Sequence, residues 1–114
     1  MISGISASLS GLNAFAKKLS NAAGNIANSN TSGYKKTESV ITEDGVGLPE
    51  LSLKRIDTPG PLLVESDGTV TEQSNVDLAE ELAQSIVAQR GYEANLKALK
   101  VQNDTLGSAL DILI

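Results

Sequence analysis

The sequence contains no cysteine, no histidine and no tryptophan. It therefore offers no thiol nucleophile, no imidazole base, no His-based triad, no disulfide framework and no zinc site of the Cys/His kind. Aromatic residues make up 3% of the chain and are Phe15, Tyr34 and Tyr92. A core must come from Leu, Ile, Val and Ala, which suits helix packing better than an aromatic-lined ligand pocket. The net charge is −5, and no segment forms a basic stripe, which argues against nucleic acid as a partner. No run approaches the roughly 18 apolar residues of a membrane span. The first dozen residues are rich in Ser and Gly and lack a basic start, so no cleavable signal peptide is expected. At 114 residues the chain has the length of one small domain.

What is present divides into three parts. Residues 1–30 read as an amphipathic helix with Ser3 as N-cap. Ile2, Ile5, Leu9, Leu12, Ala16, Leu19, Ala23 and Ile26 step by three and four, the spacing of a coiled-coil seam. Gly4, Gly11 and Gly24 each cost about 1 kcal/mol relative to Ala, and the Asn residues from 21 to 30 lower its propensity further. Residues 31–75 are rich in turns. Gly33 is placed for a positive φ, and Asp44-Gly45, Pro59-Gly60-Pro61 and Asp67-Gly68 mark further bends. Between them, 37–42, 51–56, 62–65 and 69–72 are candidate strands that make at most a small, marginal hairpin sheet.

Residues 76–114 predict a long helix capped by Asp77, with Glu80 in capping-box position. Leu78, Leu82, Ser85, Gln89, Tyr92, Leu96, Leu99, Asn103, Leu106, Leu110 and Leu113 carry its seam. A second apolar line through Ala79, Ala83, Ile86, Val87, Ala94, Ala98 and Val101 is wider than one partner helix needs. The expected fold is mainly α: the two terminal helices packed along their seams as a coiled-coil-like hairpin, with a short extended or β-hairpin segment between them. Small polar residues off the seams, Ser8, Gln84 and Gln102 among them, are expected at the surface. The excess of apolar face reads as that of an assembly subunit, and a free-standing helical hairpin with a thick seam is the alternative.

Two stretches go beyond patterning. Asn25-Ile26-Ala27-Asn28-Ser29-Asn30-Thr31-Ser32-Gly33-Tyr34-Lys35 resembles the signature near the N-terminus of bacterial flagellar rod and hook proteins. Ser74 to Leu82, continued by Ile86 to Asn95 with its Gln89-Arg90-Gly91-Tyr92, resembles the same family's C-terminal segment. The resemblance implies an axial structural subunit without catalysis or cofactor, exported through the flagellar type III apparatus and placed in the periplasmic rod of the basal body. Its implied partners are copies of itself, other rod proteins, the export apparatus and proteins of the hook–basal body junction. The short middle segment is most like a proximal rod protein of the FlgC type, whereas Val87-Ala88-Gln89-Arg90-Gly91 is closer to distal rod and hook proteins. A non-polymerising adaptor that binds a single rod or hook protein is the second reading.

Each candidate site has two readings. Asn25, Asn28, Asn30 and Thr31 form either an amide cluster for a ligand or a cap holding the turn at Gly33 by backbone hydrogen bonds. Tyr34, followed by Lys35, either stacks on a sugar or anchors the chain after that turn. Ser85, Gln89 and Asn103 either select register on the seam or face a wet channel. Arg90 and Glu93 form a solvated pair, or Arg90 binds a neighbour. The residues expected to pack subunits together are Ile5, Leu9, Leu12, Leu19, Ile26, Leu78, Leu82, Gln89, Arg90, Tyr92, Asn95, Leu96, Leu99, Leu106 and Leu110. The acidic residues of 43–67 lack the ligand spacing of a calcium loop, and no paired carboxylates sit in a recognisable cleft.

Overall fold

The computed structural model describes residues 2–114; Met1, which the expected 1–30 helix includes, and the side chain of Ile2 lie outside the described residues. The elements in order are α1 (Ile2–Ala27), β1 (Thr37–Glu43), β2 (Pro49–Arg55), β3 (Leu62–Val64), β4 (Val70–Glu72) and α2 (Leu78–Leu113). The long helices lie against each other, and the strands pair as two separate antiparallel ribbons, β1 with β2 and β3 with β4. The molecule is a flat rod, 79 × 25 × 13 Å. The 36 residues of α2 account for roughly 54 Å of that length at about 1.5 Å per residue.

Both ribbons are set by acidic turns. Asp44 accepts from the backbone N–H groups of Val46 and Leu48, at 2.9 and 2.8 Å. Asp67 accepts from the Thr69 N–H at 2.9 Å and from its hydroxyl at 2.6 Å. These Asx-type bonds close the loops and fix the registers Thr37↔Arg55 and Leu62↔Glu72. The first ribbon folds back along α1, with Pro49, Glu50 and Leu51 beside Ser10, Ala14 and Lys17, and buries Ala14. The second ribbon leaves Leu62, Leu63, Val64 and Val70 exposed.

The helix ends differ in one respect from expectation. Asp77 caps α2 by accepting from Ala79 and Glu80 N–H groups at 3.0 and 3.2 Å. Glu80 does not complete a capping box; its carboxylate instead pairs with Lys36 Nζ at 2.8 Å. At the other helix, the chain is already helical at Ile2, so Ser3 lies within the first turn and is not the N-cap.

The helices pack along each other, but not through the predicted seams. The face α1 turns to α2 carries Gly4, Ser8, Gly11, Phe15, Ala22 and Asn25, and α2 answers with Glu81, Ala88, Gly91, Asn95 and Gln102. An added Cβ at Gly11 would run into the Asn95 amide, and one at Gly91 into the Phe15 ring; one at Gly4 would lie 3.0 Å from Gln102 Nε2. A side chain at 11 or 91 would force the Asn95 amide or the Phe15 ring to move, because the helix surfaces meet closely there. Ser8 donates to Gln102 Oε1 at 3.4 Å. Ser8 is buried and Gln84 and Gln102 half-buried, so these three are interface residues, contrary to the surface position expected of them. The physical reason is distance: small side chains permit a closer approach than two rows of leucine, and the leucines are turned outward.

Candidate functional site

Two features of the fold stand out, a hydrogen-bonded clasp at the base of the helix pair and an apolar face along its side. The clasp begins at the end of α1. Asn28 Nδ2 donates to the Gly24 carbonyl at 2.9 Å and Thr31 Oγ1 donates to Asn28 Oδ1 at 3.2 Å, closing the last turn. Gly33 then takes φ 71°, a left-handed conformation that glycine adopts without strain, and reverses the chain. Its N–H donates to the Glu72 carbonyl at 2.8 Å. Asn30, Thr31 and Gly33 are exposed.

Asn25 reaches further than a cap. It is 1% exposed, and its amide grips the backbone of Thr37 on both sides, accepting from the N–H at 3.0 Å and donating to the carbonyl at 2.9 Å. The Tyr34 hydroxyl also donates to Asn25 Oδ1, at 3.1 Å, and Asn21 Nδ2 donates to the same Thr37 carbonyl at 2.6 Å. Asn75 mirrors this from the other chain end. It accepts from Lys36 N–H at 2.6 Å and donates to the carbonyls of Ile56 and Thr58 at 2.8 and 3.0 Å. Side-chain amides thus substitute for the ladder partners that the short connecting strands lack.

Two ion pairs close the clasp. Lys35 Nζ pairs with Glu72, whose Oε1 also accepts the Gly60 N–H at 2.9 Å. The Lys35 ammonium, and next that N–H, hold the Glu72 carboxyl below its ordinary value. Hydrogen bonding to Glu80 raises Lys36 above the ordinary lysine value, against a smaller opposing effect of burial. Of the predicted motif, Asn25, Asn28, Thr31, Gly33, Tyr34 and Lys35 take part. Asn21, Lys36, Glu72, Asn75 and Glu80 do as well, and sequence reasoning gave them no such part. The small polar run Ser74-Asn75 just ahead of the Asp77 cap was the available signal for Asn75.

The second feature is made by the seam residues themselves. Ile5, Leu9, Leu12 and Leu19 on α1 and Tyr92, Leu96 and Leu99 on α2 lie on one side of the helix pair, opposite the side covered by the β1–β2 ribbon. Leu9 is 49% and Leu96 50% exposed, and Leu19 and Tyr92 are also exposed. Ile5, Leu12, Ile26, Leu99 and Leu106 are half-buried at its edge, and Leu78, Leu82 and Leu110 extend the stripe along α2. Gln89 and Arg90 are exposed and bound to Glu93, at 3.2 Å each, so this trio is a solvated cluster on α2. Asn95 is the exception among the predicted packing residues. It faces Gly11 within the chain and donates to the Gly91 carbonyl at 2.8 Å. Ile86, Val87 and Val101 form a further exposed line elsewhere on α2.

Both ends of the chain match family models. Residues 5–35 match that of the flagella basal body rod protein, and residues 67–112 match that of the C-terminal part of the flagellar basal body rod FlgEFG proteins. Similar proteins include the flagellar basal-body rod protein FlgG of Borreliella burgdorferi, 50% identical over 40 residues that make up 35% of this chain and 15% of that protein. The flagellar hook protein FlgE of Escherichia coli is 43% identical over 49 residues, 40% of this chain and 12% of FlgE. That of Salmonella typhimurium is 44% identical over 41 residues, 36% of this chain and 10% of FlgE. The chain thus spans a small part of the length of each of these relatives. The matched segments contain Asn21, Asn25, Tyr34, Lys35, Glu72, Asn75 and Glu80 of the clasp and nearly all of both helices, while Lys36, Thr37, Ile56, Thr58 and Gly60 lie between them, and the chain belongs to the flagellar basal-body rod and hook protein family.

Proposed function

We propose that the chain is a structural subunit of the flagellar rod that polymerises through the outward face of its helix pair and transmits torque along the resulting tube. The observation that carries this reading is the placement of its leucines. Close packing at Gly11 and Gly91 satisfies the intramolecular contact with small residues, and leaves Leu9, Leu19, Leu82 and Leu96 free for neighbours. Burial of such side chains stabilises by about 1.5–3 kcal/mol each, which only association supplies here. The role of the clasp is mechanical: it fixes the ribbons to the base of the helices, so that force applied to the helices reaches the middle segment.

Copies of the chain and other rod proteins are the partners in this reading. Proteins of the hook–basal body junction stand at the end of the assembly, with the flagellar export apparatus as the route and the periplasmic rod as the place. The brevity of the middle segment supports a proximal, FlgC-type slot. Deletion of the gene followed by electron cryotomography of basal bodies tests the reading. A truncated rod and lost motility are expected, with the break point giving the slot. Intact rods and normal swimming would overturn it and favour the adaptor.

A further inference from the structure

Glu81 is a carboxylate on the face that α2 turns to α1. The register that sets Gly4 against Gln102 and Gly11 against Asn95 brings it level with Asn25, and it is 6% exposed. Its side chain makes no hydrogen bond and no ion pair among the described residues. No sealed side-chain oxygen among those residues lacks a partner, so the carboxylate opens into the cavity that it lines between α1, β1 and α2. A carboxylate withdrawn from water without a partner is costly, and a cation is what offsets that cost.

The cavity has a volume of about 40 Å³, and Asn21, Lys36, Glu38, Ser39, Glu80 and Gln84 stand around Glu81 in its wall. Lys36 is raised first by its hydrogen bond to Glu80, and the charges of Glu80, Glu81 and Glu38 add to this, so all three carboxylates act on one point. The Lys36 ammonium is held by Glu80 at 2.8 Å and forms no ion pair with Glu81. One ammonium against three carboxylates leaves the wall with two negative charges in excess. No three acidic side chains among the described residues are placed to hold a metal ion. The volume takes about three water-sized groups, too few for a hydrated divalent ion. What the wall does offer is hydrogen-bond acceptors. Asn21 uses its Nδ2 on the Thr37 carbonyl, and neither its Oδ1 nor the Gln84 amide oxygen accepts a bond among the described residues.

We infer that this cavity is a binding site for a primary ammonium group, with Glu81 as its counter-ion and Asn21 and Gln84 as further acceptors. Such a group is the size of one water molecule and carries three N–H donors, which the carboxylate and the two amide oxygens satisfy. The head of a lysine side chain and a free alkylammonium ion share this chemistry. A tetraalkylated ammonium does not: it has no N–H to donate and is too large for the space. A bound ammonium ties α1 to α2 beside the clasp, whether or not copies of the chain assemble.

Amide proton–nitrogen spectra of the whole chain, titrated with methylammonium chloride and with tetramethylammonium chloride at equal ionic strength, test the site. Methylammonium is expected to give saturable shifts at Asn21, Lys36, Glu81 and Gln84, and tetramethylammonium only the gradual drift of screening. Glu81→Gln, which keeps the shape of the side chain, is expected to weaken methylammonium binding at least about tenfold. Glu93→Gln removes the same charge elsewhere on α2 and is expected to leave the binding unchanged. A parallel titration with Nα-acetyl-lysine amide identifies the source. The same shifts with this probe make a lysine side chain the ligand, and shifts with methylammonium alone make it a free ion. Equal responses to the two simple cations in the parent protein would overturn the site even if Glu81→Gln failed to fold. Shifts that never saturate, or saturable binding that survives in folded Glu81→Gln, would overturn it as well.

Discussion

The Phe15 ring of α1 occupies the place that a side chain at Gly91 of α2 would need. This single juxtaposition fixes how closely the helices approach and which of their faces meet. Gly91→Ala forces the ring or the helix to shift and is expected to destabilise the chain by about 1–3 kcal/mol. Gly107→Ala, where nothing lies within 4 Å, is expected to act in the opposite direction, stabilising by up to about 1 kcal/mol through helix propensity. Thermal melts of the two variants followed by helical circular dichroism check the difference in sign.

Asn25→Ala removes three hydrogen bonds, to Tyr34 and to both backbone groups of Thr37. It leaves those groups to find water from a buried position, at a cost of about 1–3 kcal/mol. The loss is expected to be local. Amide hydrogen exchange should speed up at Thr37 and along β1–β2, while the centre of α2 keeps its protection. Uniform loosening of the whole chain would count against the clasp as a separate unit.

The Glu72 carboxyl is held below its ordinary value by Lys35 and by the Gly60 N–H. Its contribution is therefore fully present above the unfolded glutamate value, near 4.3, and is lost as pH falls through the depressed folded one. Amide shifts of Gly60 are expected to move in that acidic window in the parent protein and to stay flat in Glu72→Gln. An unchanged acid transition in the variant would show that another group titrates there.

The strands and turns were legible because their signals are local. Asp44 and Asp67 make the turns their position announces, Gly33 takes the positive φ, and Asp77 caps α2. The choice of packing face was not legible in the same way. Both helices carry two stripes with three–four spacing, and hydrophobicity favours the leucines. What decides the matter is the meeting of Gly11 with Asn95 and of Gly91 with Phe15, a coincidence between residues some 80 positions apart that periodicity within one helix does not reveal. Gly4 and Gly11, seven apart, read as weaknesses of α1 and are in fact its contact surface. The clasp was half legible: the Asn-rich motif pointed to backbone capping, but Asn25 and Asn75 hold strands distant in sequence.

Whether the leucine face serves other copies and not the monomer is tested by sedimentation velocity across a concentration series of the parent and Leu96→Asp. Leu96 is half-exposed, so the substitution is expected to change monomer stability by only about 0.5 kcal/mol, whereas Ala88→Asp, at a fully buried position, unfolds the helix pair. The parent is expected to assemble with rising concentration, and Leu96→Asp to remain a folded monomer that no longer assembles. Equal assembly of the two proteins, or a Leu96→Asp chain as unfolded as Ala88→Asp, would contradict it.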